Sequence, residues 1–184
     1  MPRRLSDLSV DASWTLFLDR DGVINRKFES GYIRSPDEIE FLPGALEAVA
    51  ALSLRFSRII VVTNQQGVGK GLMSAADLSD IHAKLVAEVS ASGGRIDRIY
   101  SCTSPAEAGD PRRKPDTGMG LDAQRDFPGL RFDQSVMVGD SVSDMIFGRR
   151  LGMVTVLVGG KVLDDEKLAS FRMSDLGAFA RWIN

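Results

Sequence analysis

The chain has 184 residues, 43% of them hydrophobic and 26% charged, with a net charge of −2. That is the balance of one ordinary globular domain large enough to build a core without staples. The charge argues against a general binder of nucleic acid or anionic membranes, the single cysteine, Cys102, excludes an intrachain disulfide, and no apolar run approaches the roughly 18 residues that span a bilayer.

Pro2-Arg3-Arg4 is basic, but the segment after it is too polar for a signal-peptide core, so a cytoplasmic protein is expected. Residues 1–13 lack periodicity and read as a loose arm, leaving 14–184 as a single domain. Trp14–Leu18 is an apolar run that ends in Asp19 and Asp21, with Gly22 behind them to turn the chain. Side chains two apart on a strand share a face. Two carboxylates held there repel unless a cation lies between them or one keeps its proton. A divalent metal, with a carboxylate nucleophile beside a carboxylic acid, would use both solutions. A solvated turn after a core strand is the plainer alternative.

Residues 25–42, with Lys27, Glu29, Gly31, Tyr32 and Pro36, read as a long ordered loop or flap, a kind of segment that is usually functional. Pro43-Gly44 then opens a helix with Leu46, Val49, Ala50 and Leu54 on one face. Residues 58–64 form a second buried strand that ends in Thr63 and Asn64. A glycine-rich loop at 65–71 leads to Ser74 and Asp77, spaced as a capping box, and the helix they start places Leu78, Ile81, Leu85 and Val89 inward. A shorter strand is expected over 96–102. The stretch 103–117 holds three prolines and the run Arg112-Arg113-Lys114, so it is a loop. A short helix follows over 120–126, then a strand over 135–140 ending in Asp140, with Asp144 in the first turns of a helix over 142–150. A fifth strand spans 154–158, and helices near 163–171 and 175–183 close the chain.

Strands alternating with helices indicate a doubly wound parallel α/β sheet. Ligands of such sheets sit outside the carboxyl ends of the strands, which brings Asp19, Thr63, Lys114 and Asp140 towards one place. The loop 65–71 is neither a Walker loop, which needs glycine at 64 and Ser or Thr at 71, nor a dinucleotide fingerprint, which needs glycine at 72. Generic contact between its N–H groups and an anion is the reading left. His82, at the edge of an apolar stripe and the only histidine, reads as packed or half-exposed, which disfavours a Ser-His-Asp or histidine-based metal site. Cys102 reads as a small apolar residue. The Arg112-Arg113-Lys114 run, on a loop expected to overhang the carboxylates, reads as a phosphate-binding element.

Four segments taken together, Asp19-Arg20-Asp21-Gly22-Val23-Ile24-Asn25, Thr63-Asn64-Gln65, Arg113-Lys114-Pro115 and Val138-Gly139-Asp140-Ser141-Val142-Ser143-Asp144, resemble the four motifs of the haloacid dehalogenase superfamily, in the right order. Gly31-Tyr32 and Phe41-Leu42-Pro43-Gly44 narrow the resemblance to the heptose bisphosphate and histidinol-phosphate phosphatases. The resemblance implies a Rossmann-like three-layer fold without a large cap domain, and Mg²⁺ held by Asp19, the Asp21 carbonyl and Asp140. It implies that Asp19 attacks phosphorus to form an aspartyl phosphate, while Asp21, kept protonated by its neighbour's charge, protonates the departing sugar oxygen. Thr63 and Lys114 would bind the phosphoryl oxygens. Asn64, Arg113, Glu29 and Tyr32 complete the expected substrate-binding set, and Asp144 would either orient Lys114 or support the metal from behind. Many relatives carry a structural zinc on Cys-x-His and Cys-x-Cys; here Cys102 is followed by Ser104, Asp110 and Arg112 at the other positions, so no zinc is expected. The loop would instead be ordered by its prolines and by packing. The expected substrate is a small phosphorylated sugar, foremost the 7-phosphate of D-glycero-D-manno-heptose 1,7-bisphosphate, handled by a monomer without nucleic acid or membrane. Histidinol phosphate is the alternative substrate, and a phospho-accepting receiver domain is the alternative of a different class.

Overall fold

The computed structural model describes residues 10–28, 31–160 and 165–183. Its strands are β1 (Thr15–Leu18), β2 (Arg58–Asn64), β3 (Arg98–Cys102), β4 (Ser135–Gly139), β5 (Val154–Leu157) and β6 (Phe171–Arg172). They form one sheet in the order β3-β2-β1-β4-β5-β6, every pair parallel. The helices are α1 (Ala45–Ser53), α2 (Ala75–Ala91), α3 (Gly118–Asp126), α4 (Val142–Arg150) and α5 (Leu176–Ile183).

Both faces of a parallel sheet are covered, so its strands are apolar on both sides. Leu16 and Leu18 of β1, Ile59 and Val61 of β2, and Val136 and Val138 of β4 pack in one core with Val49 and Leu52 of α1, Ile81 and Leu85 of α2, and Phe179 of α5. Phe17, Ile60, Val62 and Met137, which alternate with them, pack in a second core with Met119 of α3 and Phe147 of α4. The result is the expected α/β/α sandwich. The chain adds strands outward from β1 to β3, then returns to the other side of β1 with β4. The crevice where the order reverses therefore lies between the carboxyl ends of β1 and β4, the ligand position of such sheets.

Two expectations need correction. The segment expected as a helix over 163–171 contains instead a short 3-10 turn at Glu166–Leu168 and the edge strand β6, paired with Val156 and Leu157. In α1 the buried residues are Ala45, Ala48, Val49, Leu52 and Ser53, whereas Leu46 and Ala50 are half-buried and Leu54 is 84% exposed. Small residues let α1 lie close to its neighbours, which outweighs the larger leucines. The inward stripe of α2 and its capping box are as expected: Ser74 Oγ accepts from Asp77 N at 3.0 Å, and Asp77 Oδ2 accepts from Ser74 N at 2.8 Å. Most of the 1–13 arm lies outside the described residues; Val10, within it, packs against the first core. No helix among the described residues is long and apolar enough to cross a membrane.

Candidate active site

The crevice opens into a cavity of about 390 Å³ whose walls include Asp19, Asp21, Lys27, Tyr32, Thr63, Asn64, Arg113, Lys114 and Asp144. Asp19 N donates to Val138 O at 3.0 Å, carrying the sheet one residue past β1 and fixing the carboxylate at its edge. The chain then turns tightly, with Gly22 N donating to Asn25 O and the Ile24 and Asn25 N–H groups to Arg20 O. Gly22 has φ +87°, and a Cβ there would lie 2.5 Å from Asp140 Oδ2. Only glycine allows both this turn and the approach of Asp140.

Lys114 is the hub. Its ammonium, buried at 3% exposure, donates to Asp144 Oδ1 at 2.6 Å, Val62 O at 2.7 Å and Asp19 Oδ1 at 2.9 Å, engaging all three protons. Asp144 Oδ2 in turn accepts from Ser141 N at 3.1 Å and Ser141 Oγ at 2.5 Å at the start of α4. Of the two roles open for Asp144, the structure shows the one in which it orients the lysine. Asn64 grips the same loop from the other side: its Oδ1 accepts from Lys114 N and its Nδ2 donates to Lys114 O, each at 3.0 Å.

One ammonium between two carboxylates leaves a surplus negative charge in a dry site. Burial and the neighbouring Asp144 push Asp19 up to about 7, against the pull of Lys114. Burial by itself would lower Lys114, but Asp144 and Asp19 outweigh it and hold the ammonium above its usual range. Asp21 is different. Burial favours its neutral form, yet the Arg20 charge and hydrogen bonds from Asn25, Gln65 and Arg20 hold it below the usual carboxylate range. Arg20 Nη2 lies 3.0 Å from Asp21 Oδ1, Asn25 Nδ2 lies 2.8 Å from the same oxygen, and Gln65 Nε2 lies 2.8 Å from Oδ2. The expectation that Asp21 is kept protonated is thereby corrected for this state: Arg20, Asn25 and Gln65 all donate to it, as suits an ionised carboxylate.

The oxygen set fits a hard divalent cation. Carboxylate oxygens of Asp19, Asp140 and Asp144 lie within 4.8 Å of one another, oxygen donors are what Mg²⁺ takes, and the one Lys114 ammonium is shared between Asp19 and Asp144. Asp144 is committed to Lys114 and Ser141, so Asp19 and Asp140 are the oxygens that remain for the ion. Lys27 Nζ approaches both Asp140 oxygens at 3.5 Å.

The other expected residues are distributed as follows. Thr63, at the end of β2, accepts a hydrogen bond from Gln65 Nε2 at 2.8 Å, which leaves its own O–H to donate. Arg113 lines the cavity and donates to Ser104 O at 3.2 Å. Tyr32 lines it too, its hydroxyl accepting from Gln66 Nε2 at 2.9 Å and so tying the flap to the loop 65–71. Glu29 lies outside the described residues. In that loop the N–H groups of Gln65, Val68, Gly69, Lys70, Gly71 and Leu72 donate to backbone carbonyls and the N-terminus of α2 is closed by its own capping box, so the expected anion contact narrows to the N–H groups of Gln66, which lines the cavity, and Gly67. Sequence reasoning gave no role to Arg20, Asn25, Gln65 or Lys27. An arginine between two acids at a strand end was the available signal for Arg20, and Asn25 acts on Asp21 four residues before it, whereas Gln65 and Lys27 act on partners 44 and 113 residues away.

Cys102 is buried in the second core, and burial raises its thiol. The loop after it is ordered by more than prolines and packing. Ser104 Oγ donates to Asp110 Oδ2 at 2.5 Å, and Arg112 N donates to Asp110 Oδ1 at 2.8 Å.

His82 is half-buried on α2, with a buried Nε2 that has no hydrogen-bond partner among the described residues. Burial, helped by the Arg20 charge, pushes it down to about 4. Its folded value thus lies below its unfolded value near 6.5, so the unfolded chain binds the extra proton as pH falls. The stability this residue supports is intact above about pH 6.5 and is lost towards pH 4, by about 3 kcal/mol at most. Urea titrations of wild type and His82→Gln across that window should show the wild type losing more; parallel losses would refute this.

The comparisons with known proteins agree with the geometry. A family profile described as HAD-hydrolase-like matches residues 111–176. The D-glycero-alpha-D-manno-heptose-1,7-bisphosphate 7-phosphatase of Mycobacterium bovis is 45% identical over 132 residues, 72% of this chain and 70% of that protein. The chain belongs to the haloacid-dehalogenase-like hydrolases, among the heptose-bisphosphate phosphatases. The D-glycero-beta-D-manno-heptose-1,7-bisphosphate 7-phosphatase of Bordetella bronchiseptica is 35% identical over 147 residues, 78% of this chain and 79% of that one. A crystal structure of the D,D-heptose 1,7-bisphosphate phosphatase from B. bronchiseptica, complexed with magnesium and phosphate, superposes with a TM-score of 0.82 at 31% identity, over 91% of this chain and 96% of that one. Family membership sets aside the receiver reading.

Proposed function

We propose that the protein is a Mg²⁺-dependent phosphatase that removes the 7-phosphate of D-glycero-D-manno-heptose 1,7-bisphosphate. The observation that carries this reading is the buried Lys114 joining Asp19 to Asp144 beside Asp140. Asp19 attacks phosphorus in line with the departing sugar oxygen; the new bond is Asp19 O–P and the bond broken is P–O(sugar). The incoming phosphate dianion offsets Arg20 and raises the proton affinity of Asp21, which takes up a proton from solvent as substrate binds. Asp21 gives that proton to the departing oxygen, takes one from the water that hydrolyses the aspartyl phosphate, and returns it to solvent when phosphate leaves, so the protons balance. Thr63 O–H and the Lys114 ammonium face the phosphoryl oxygens, where charge is greatest in the transition state. Asn64 positions Lys114 rather than touching substrate, and Arg113 and Tyr32 shape the sugar end of the pocket. Asp19, the Asp21 carbonyl and Asp140 would hold Mg²⁺, which when bound neutralises phosphoryl charge.

We also propose that the protein carries no structural zinc. Its support is the burial of Cys102 in the apolar core and the hydrogen bonding of Ser104 and Asp110 to each other. We also infer a cytoplasmic monomer that needs neither nucleic acid nor membrane, in keeping with the small net charge.

Phosphate release from both anomers of the heptose bisphosphate, from hexose phosphates and from histidinol phosphate, with Mg²⁺, tests the function. The heptose substrate should give the highest kcat/KM; preference for histidinol phosphate would overturn the proposed substrate. Asp21→Asn should lower kcat by about 10²- to 10⁴-fold while Mg²⁺ still binds, measured by calorimetry, because the ligand atom is the backbone carbonyl. Lost metal binding would show that the side chain has been given the wrong task.

A further inference from the structure

We propose that Lys27 is an internal competitor of the divalent cation: its ammonium neutralises Asp140 in the metal-free protein and must leave before the ion can seat. The inference rests on the reading of Asp19 and Asp140 as the metal's carboxylates and concerns a residue to which that reading gives no role.

Lys27 Nζ stands 3.5 Å from each Asp140 oxygen, placed between them rather than on one. Its side chain is 49% exposed while that of Asp140 is 7% exposed. The lysine therefore reaches from the solvent side onto a carboxylate that is otherwise enclosed, and Lys27 also lines the cavity. Charge explains why it goes there. Around the crevice stand four acids, Asp19, Asp21, Asp140 and Asp144. Arg20 is spent on Asp21, and Lys114 is shared by Asp19 and Asp144. Lys27, on the segment between the Asp21 turn and the flap, brings a positive charge to Asp140. A divalent cation between Asp19 and Asp140 would bring two positive charges to the same place. A lysine left there would oppose it, since like charges within a few ångströms repel in a poorly solvated site. Being half-exposed and held, among the described residues, through Asp140 at long range, Lys27 can swing away at small cost. The freed ammonium then adds to the positive lining of the cavity just when a phosphate dianion is to enter.

The test is titration of Mg²⁺ alone, without substrate, into wild type, Lys27→Met, Lys27→Arg and Lys70→Met, followed by calorimetry at fixed pH and ionic strength. Lys70, whose Nζ lies 3.5 Å from the hydroxyl of the cavity residue Tyr32, carries the same charge change. Lys27→Met should bind Mg²⁺ about five- to tenfold more tightly than wild type, Lys27→Arg about as wild type, and Lys70→Met within about twofold. Unchanged or weaker binding by Lys27→Met overturns the inference, as does an equal gain in Lys70→Met, which would report only the general field. If wild type itself binds no Mg²⁺, the metal-site reading fails instead, so the two failures are distinguishable. Thermal melts of each variant confirm that the fold is retained; Lys27 lies on an exposed loop, where such substitutions cost little.

Discussion

Replacing Asp19 with asparagine should abolish phosphate release, lowering kcat by about 10⁴-fold or more, because no other group can serve as the nucleophile. The protein should nevertheless fold at least as well. In the metal-free state Asp19 is pushed up to about 7 by burial and by Asp144. A carboxyl whose folded value lies above its unfolded value of 3.8 contributes stability at low pH that is lost as pH rises from there through 7. Asparagine keeps the shape and removes that slope. Asp19→Asn should therefore be more stable than wild type at pH 8 without Mg²⁺, by about 1–2 kcal/mol, and the advantage should shrink when Mg²⁺ is added to wild type. Chemical denaturation with and without the ion measures both. An inactive variant that is also less stable would indicate that Asp19 is a structural partner of Lys114 before it is a nucleophile.

Lys114→Met makes the opposite prediction for stability. It leaves Asp19 and Asp144 buried side by side without the ammonium that joins them, and Val62 O without its donor. Breaking a buried pair by removing one partner costs about 3–5 kcal/mol. Phosphate release should fall by about 10³-fold or more as well, since the charge facing the phosphoryl oxygens is gone. Adding Asp144→Asn to Lys114→Met should recover about 1 kcal/mol or more, because it removes one of the two stranded charges. Strictly additive losses in that double variant would mean that Asp144 and Lys114 are not coupled as the 2.6 Å bond implies.

The sandwich and the position of the site were legible because parallel strands carry their information locally. Continuous apolar runs such as Ile59–Val62 name the buried strands, and the polar residue that ends each run names the ligand edge. The edge strand β6 was not legible. Two residues have no periodicity, and whether Phe171 pairs with Val156 or continues a helix is settled by the neighbouring strand. The buried face of α1 was misjudged for a related reason: side-chain size favoured Leu46 and Leu54, whereas close helix approach selected Ala45 and Ala48. At the site, Asp19, Thr63, Lys114 and Asp140 were found from strand ends and loop chemistry. The charge state of Asp21 was not, because it depends on Gln65, which lies 44 residues away in the chain, and on a buried arginine between two acids. Lys27 was noted in the long loop but given no role, because a lone lysine there has no pattern to mark it.

The covalent step is the claim on which the rest depends. Rapid acid quench of wild type during turnover with Mg²⁺, followed by peptide mass spectrometry, should find a phosphoryl group on Asp19. A quenched enzyme that turns over substrate yet carries no phosphoryl group, or carries it on another residue, would contradict the mechanism.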